Sequence, residues 1–356
     1  MAQRQARRLV SAPPGLALVG ERVSAAVNSF LDAERTRWSA VDPDLDAPLR
    51  ALQDFVGAGG KRLRPAFCYW SFVGGGGDPD DETAMQACAA LELLHTFALV
   101  HDDIMDGSAR RRGRAAVHAA FTAEHEAGGW RGEARRFGDG AAILIGDLAF
   151  VYADQLLRPV SQDAHDVFDD LRLELCAGQY LDLAGTARGK RDSARASRIE
   201  RYKSGKYTVE RPLHLGAALV GRLQELAPAL SAFGLPLGDA FQMRDDVLGI
   251  FGDADATGKP VGDDLREGKL TPLLAIAVDR IGERGVLGRV GAPDLTEPEI
   301  GAMQRTIVEC GALEETEHMI ERRASEAVAA LAALPIASDA KTALEELATY
   351  VAWRSS

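Results

Sequence analysis

The 356-residue sequence is poor in cysteine, poor in aromatic residues and short of positive charge. Its four cysteines, Cys68, Cys88, Cys176 and Cys310, lie far apart and form no CxxC pair or Cys/His cluster. That excludes a disulfide scaffold and a zinc–thiolate centre, and leaves reduced thiols, three of them among apolar neighbours as small core side chains. Lys and Arg number 41 against 53 Asp and Glu, a formal charge of −12. No basic face is available to follow a nucleic-acid backbone, although local cations and bound metal can still hold a small phosphorylated substrate. No run of about 18 apolar residues occurs, so no membrane span is expected. Near the N-terminus, Arg4, Arg7 and Arg8 precede an apolar stretch interrupted by Pro13, Pro14 and Gly15. That stretch is too short for a signal-peptide core, and a cytoplasmic location is expected.

What the sequence does have is helical periodicity. Val19, Val23, Ala26, Val27, Phe30 and Leu31 follow the spacing of one buried stripe. Similar stripes recur over 82–105, 139–158, 164–184, 198–221, 226–251 and 269–285, with two or three more between 296 and 352. Turn-rich breaks at 57–60, 74–79, 128–132, 186–194 and 254–262 separate them, and none has the composition of an interdomain linker. The expectation is an all-α chain of about ten or more helices, with residues 1–14 as a tail and 15–356 as a single domain. Loops are expected at 124–138 and 186–197, with no role assigned. Two glycine-rich stretches do not support a nucleotide site: Lys61 is followed by Arg62, not Ser or Thr, and Gly74–Gly77 ends a helix.

The sharpest local signal is Asp102-Asp103-Ile104-Met105-Asp106, which closes the apolar stretch 91–100. Asp102 and Asp106 share a helix face, and like charges there oppose the helix by about 0.2–0.5 kcal/mol. A hard divalent cation is the natural compensation, since Mg²⁺ takes one or two carboxylates together with phosphate oxygens and water. A second acidic pair, Asp245-Asp246, ends Phe241-Gln242-Met243-Arg244 within another apolar stretch. Two such clusters on separate helices suggest metal sites facing each other across a bundle. Cations gather near them in sequence: Lys61 and Arg64, Arg111 and Arg112, Lys203 and Lys206, Lys259 and Lys269. Arginine forks and lysine point charges beside metal are what a diphosphate requires.

These motifs resemble those of the trans-isoprenyl diphosphate synthases (polyprenyl synthetases), in particular the short-chain farnesyl and geranylgeranyl type. The matching segments are GGKRLRP at 59–65, ELLHTFALVHDDIMD at 92–106, RRG at 111–113, KSGKYT at 203–208, FQMRDD at 241–246 and GKPVGDDLREGK at 258–269. The resemblance implies one helical bundle around a deep central cavity, the isoprenoid synthase fold. It implies a Mg²⁺-dependent prenyltransferase that joins isopentenyl diphosphate to dimethylallyl, geranyl or farnesyl diphosphate, working as a homodimer. By the same resemblance Asp102, Asp106 and Asp245 would ligate about three Mg²⁺, with Asp103 and Asp246 in support. Arg111, Lys203 and Lys259 would clamp the allylic diphosphate, with Lys269 in the same polar segment. Lys61, Arg64, His95 and Arg112 would hold the diphosphate of isopentenyl diphosphate, and Ser204 and Gln242 would stabilise positive charge at the reacting carbon.

One position departs from the pattern, because Gly249 stands where many members carry a third aspartate. Chain length in this family is set by bulk upstream of the first cluster. Phe97, with small Ala98 beside it, lies about 7 Å deeper along the helix than Asp102 at 1.5 Å per residue. This implies geranylgeranyl diphosphate as product, with farnesyl diphosphate the alternative. A class I terpene cyclase would lack the GGKR and RRG segments, and an inactive subunit of a heteromeric synthase would have lost aspartates or cations.

Overall fold

Residues 87–94 (Ala-Cys-Ala-Ala-Leu-Glu-Leu-Leu) have one polar side chain, Glu92, and a helix apolar all round must be surrounded. In the computed structural model, which describes residues 11–188, 201–252, 261–269, 271–282 and 285–354, every residue from 87 to 94 is buried. In chain order the helices are α1 (Pro14–Ser39), α2 (Asp46–Gly57), α3 (Leu63–Gly74), α4 (Glu82–Asp106), α5 (Val117–Gly128), α6 (Ala134–Leu156) and α7 (Gln162–Arg188). A π-helical segment (Arg201–Glu210) runs into α8 (Arg211–Leu219), followed by α9 (Leu223–Phe251) and the short α10 (Asp263–Glu267). The chain finishes with α11 (Pro272–Ile281), α12 (Glu297–Glu309), α13 (Ala312–Ala332) and α14 (Ser338–Trp353). A two-residue hairpin, β1 (Arg110–Arg111) with β2 (Arg114–Ala115), follows α4.

The central α4 packs most extensively on α6 and is enclosed further by α1, α2, α3 and α5. By length and composition α4 could cross a membrane, but 67% of its apolar window is buried by these neighbours. Its hydrophobicity is used in the core. One hydrophobic cluster surrounds α4, and a second joins α11, α12 and α13. α9 contributes to both, through Phe233, Leu237 and Phe241 to the first and Met243, Val247 and Ile250 to the second.

Several expectations are corrected. α2, α3 and α5 fall outside the stripes read from the sequence: α2 and α5 are short and bury few side chains, whereas α3 is buried on nearly every side and so shows no single stripe. The expected loop at 124–138 is mostly helix: α5 ends where Gly129 takes φ 59°, and α6 begins at Ala134. Trp130 and Phe137 stack edge-on at 5.2 Å across the junction, which replaces a long loop by a tight one. Most of 186–197 lies outside the described residues. Cys68 and Cys88 are core thiols, but Cys176 is exposed on α7.

Candidate active site

The first acidic cluster forms the last turn of α4, which ends because Gly107 adopts φ 66° and the Ser108 N–H caps the Asp103 carbonyl at 2.9 Å. The chain then doubles back through Arg112 and Gly113, both at positive φ (51° and 74°), the geometry of a two-residue hairpin turn. That turn returns Arg111 to α4. Its Nε and Nη2 donate to Asp103 Oδ1 at 2.8 and 2.5 Å, and Nη2 reaches Asp102 Oδ2 at 3.2 Å. The other Asp102 oxygen accepts from Gln179 Nε2 of α7 at 3.0 Å. Asp103 is 1% exposed, and burial pushes its carboxyl up against the pull of Arg111. Asp106 is exposed at the helix end.

The cationic residues are assembled on the turn between α2 and α3. Gly59 has φ 94°, a conformation that favours glycine, and Gly60 lies against the RRG hairpin, where a Cβ would fall 3.0 Å from Arg112 Nη2. Arg62, at φ 52°, points inward, where Nη1 bonds Glu92 and Nη2 the Val56 carbonyl at 2.9 Å. Arg64 donates to Thr208 Oγ1 at 2.8 Å, and its Cζ lies 4.2 Å from the Tyr207 ring centroid. His95 sits 6.1 Å from that ring. Burial first, then the charges of Arg64 and Arg112, drive its pKa down, so it is a neutral donor. Lys61 is lowered to about 8 by burial and by Arg354, with Asp245 opposing and Arg112 adding to the repulsion.

The second cluster lies near the C-terminal end of α9. Asp245 receives the Arg354 guanidinium, which also lies 4.4 Å from the Phe241 ring centroid. Asp246 is fully buried and accepts from Gln242 Nε2 at 2.9 Å. Burial, with Asp264 and Asp245 nearby, pushes Asp246 up to about 7 against Lys269 and Gln242. Lys269 Nζ stands 3.7 Å from Asp246 and 3.9 Å from Asp264. Lys269 therefore serves these acids, and the Gln242 amide is turned to Asp246. Arg244 faces away to Glu317 (2.8 and 2.7 Å) and the Ala352 carbonyl (2.8 Å).

The π-helical segment carries Lys203 and Ser204, whose side chains lie outside the described part, as does the whole of Lys259. Its C-terminal half is anchored. Glu174 of α7 accepts from Lys206 and from Arg211 Nε and Nη2 at 2.8 and 2.7 Å. Ser231 bonds Glu210 at 2.6 Å. A Cβ on Gly238 would fall 2.7 Å from the Gly205 carbonyl oxygen, so the segment lies directly on α9. π-Helices are rare and concentrate at functional sites.

Asp103 Oδ2 and Asp246 Oδ2 are buried carboxylate oxygens without hydrogen-bond partners, and such an oxygen is satisfied by a nearby cation or by a proton. Among the described residues no three His, Cys, Asp or Glu side chains form a ready-made cage. Few donors, all of them oxygen, suit Mg²⁺, which completes its shell with water and substrate phosphate. Gln179, Thr208, Tyr207, Asp264 and Arg354 were not found from the sequence. Gln179, a polar residue at 179 inside the apolar stripe 164–184, offered a signal; Arg354, one cation beyond the last helix, offered none.

The sequence profile described as polyprenyl synthetase matches residues 47–290. The geranylgeranyl diphosphate synthase of Methanosarcina mazei is 34% identical over 303 residues, covering 80% of this chain and 86% of that protein. The octaprenyl diphosphate synthase of Escherichia coli is 31% identical over 287 residues, covering 79% and 82%. The crystal structure of geranylgeranyl pyrophosphate synthase from Corynebacterium glutamicum, complexed with isoprenyl diphosphate and magnesium, matches with a TM-score of 0.88. That match has 34% identity and covers 97% of this chain and 100% of that one. With the acidic helix ends and the arginine-rich turns set on this all-helical frame, the chain belongs to the polyprenyl synthetase family of trans-isoprenyl diphosphate synthases and is a prenyltransferase.

Proposed function

We propose that the chain condenses isopentenyl diphosphate with allylic diphosphates and delivers geranylgeranyl diphosphate. The observation that carries this reading is the position of Lys61, whose charged neighbours are Arg112 from the first cluster's hairpin and Asp245 from the second cluster. Lys61 thus lies within the electrostatic reach of residues from both acidic helix ends. Asp102 and Asp106 on one side and Asp245 on the other, with Asp103 and Asp246 behind them, would hold magnesium. Bound there, magnesium neutralises the allylic diphosphate as a leaving group.

The protein's own cations complete the work. Arg111, oriented by Asp103, faces the allylic diphosphate together with Lys203 and Lys259. Lys61, Arg64, Arg112 and neutral His95 hold the diphosphate of isopentenyl diphosphate. The allylic C–O bond breaks, the alkene carbon of isopentenyl diphosphate bonds to the allylic carbon, and a proton passes to the released pyrophosphate. Preorganised charge is the main catalytic contribution, and the apolar surroundings keep water from the cation.

The relatives' names span several product lengths, so length must come from this chain's own residues. Phe97 is held between His101 and Phe150, ring centroids 4.7 and 4.9 Å away, and so cannot swing aside readily as a product grows. Incubation of the purified chain with isopentenyl diphosphate and each primer should give geranylgeranyl diphosphate by mass spectrometry. Phe97→Ala should lengthen the product by at least one isoprene unit, with Ala98 unable to substitute as a floor. An unchanged product spectrum would remove Phe97 from this role.

A homodimer is part of the same proposal. Ile143, Leu144 and Val151 of α6 and Leu173, Tyr180 and Leu183 of α7 are all exposed, Leu144 by 64% and Leu173 by 69%. Arg172 joins the two helices through Asp154 at 3.1 Å. Exposed apolar side chains gathered on two linked helices suit an interface, and a second copy of the chain is the partner proposed for it. Leu144→Asp with Leu173→Asp should shift sedimentation from dimer to monomer; a wild-type monomer would dismiss it.

A further inference from the structure

A further ionic cluster joins α7 to the π-helical segment, and none of its side chains has a part in the chemistry above. The Glu174 side chain of α7, 17% exposed, accepts from Lys206 Nζ and from Arg211 Nε and Nη2 at 2.8 and 2.7 Å. Burial pushes its carboxyl up, but the bonds from Arg211 and Lys206 outweigh burial and hold the group below its ordinary value. Glu174 is therefore a carboxylate at neutral pH. Lys206 also stands 3.8 Å from Glu210 Oε2, and Glu210 is 5% exposed, so two cations are matched by two acids.

The spacing of the two cations carries the information. Lys206 belongs to the π-helical segment Arg201–Glu210, and Arg211, five positions later, is the first residue of α8. In an α-helix, at 3.6 residues per turn, side chains five apart point about 140° away from each other. A π-helix bonds i to i+5 and so stacks residues five apart on one face. One carboxylate gripped by both Lys206 and Arg211 is a contact that π winding favours and α winding opposes. Rewinding to α would rotate everything upstream of Lys206 relative to α8, and Lys203 and Ser204 lie immediately upstream. α7 also gives Gln179 to Asp102 at 3.0 Å, so one helix sets this segment against the first acidic end.

We propose that Glu174 is a positioning residue for the reaction. By gripping Lys206 and Arg211 together it holds residues 201–210 in π winding, and so fixes the face on which Lys203 and Ser204 are presented. The kinetic half of this inference rests on the reading that Lys203 faces the allylic diphosphate.

The test uses the full-length protein with isopentenyl diphosphate and an allylic primer. Glu174→Gln keeps the shape of the side chain and loses its charge, whereas Lys206→Met leaves Glu174 bound to Arg211 alone. Each should lower kcat/KM for the allylic substrate by about 10–100-fold, the scale of a small misplacement in an active site, with the helical circular dichroism retained. Backbone amides of 201–210 should exchange with deuterium about tenfold faster in both variants. Combined with Lys203→Ala, each loss should fall well short of the product of the two single losses, because little is left to position. A purely structural role would multiply them. Allylic kcat/KM within about twofold of wild type, losses that multiply with Lys203→Ala, or unchanged exchange at 201–210 would overturn the proposal. Lys203→Ala as active as wild type would instead remove the reading of Lys203, and the exchange measurement then decides the Glu174 bridge by itself.

Discussion

Asp102→Asn should cut turnover by on the order of 10³-fold, the scale of losing one preorganised electrostatic contact to the charge that develops in a transition state. The melting temperature should stay within about 2 °C of wild type, since the substitution costs little folding energy. Asp102 is half-buried, with Oδ1 on Gln179 and Oδ2 on Arg111. Asparagine keeps one acceptor of similar shape, and Asp103 still holds Arg111 through two bonds to Oδ1. What the change removes is the negative charge at the end of the first acidic helix. Steady-state kinetics with isopentenyl diphosphate and an allylic primer, alongside a thermal melt, make the measurement. A loss below tenfold would show that the first acidic helix end does not grip the leaving group.

Glu92→Gln should destabilise the fold by about 3–5 kcal/mol, the cost of leaving one member of a buried ion pair without its counter-charge. Glu92 is 3% exposed within the all-round apolar stretch of α4, and Arg62 is 8% exposed. Arg62 adopts φ 52°, a conformation few non-glycine residues take, and holds it while bonded to Glu92 and to the Val56 carbonyl at 2.9 Å. The pair therefore shapes the turn that presents Lys61 and Arg64. Chemical denaturation would read the stability loss, and isopentenyl diphosphate KM should rise with it. Replacing both residues by methionine should recover a good part of the stability without the turn geometry. Unaltered stability in Glu92→Gln would mean the guanidinium finds water or another acceptor.

Much of the site was visible in the sequence, because its parts are local. Asp102 and Asp106 share a face by helix geometry alone. The RRG turn is encoded by its own residues, with Gly113 tolerant of positive φ. The stripes of α4, α7 and α9 follow from spacing, and each occurs near its expected bounds. The short helices α2 and α5 bury few side chains, and α3 is buried on nearly every side, so none of the three shows a long one-sided stripe. The aromatic contact at Trp130 and Phe137, which shortens the 124–138 connection, joins residues whose pairing no periodicity announces.

Other features depended on distant partners. Lys269, expected among diphosphate-facing cations, stands 3.7 Å from Asp246 and 3.9 Å from Asp264. Gln242 gives its amide to Asp246, and Arg354 reaches Asp245 across 109 positions. The Asp264 carboxylate lies where a Cβ on Gly249 would project, 2.2 Å from Oδ2.

The amino-acid sequence by itself determined the long helices, the two acidic ends and the identity of the cations, because those depend on neighbours within a turn or two. Only the tertiary structure decided which acid faces which cation and which carboxylate occupies which volume. Such pairings depend on close packing between helices far apart in the chain, where one excluded Cβ is enough to change the answer.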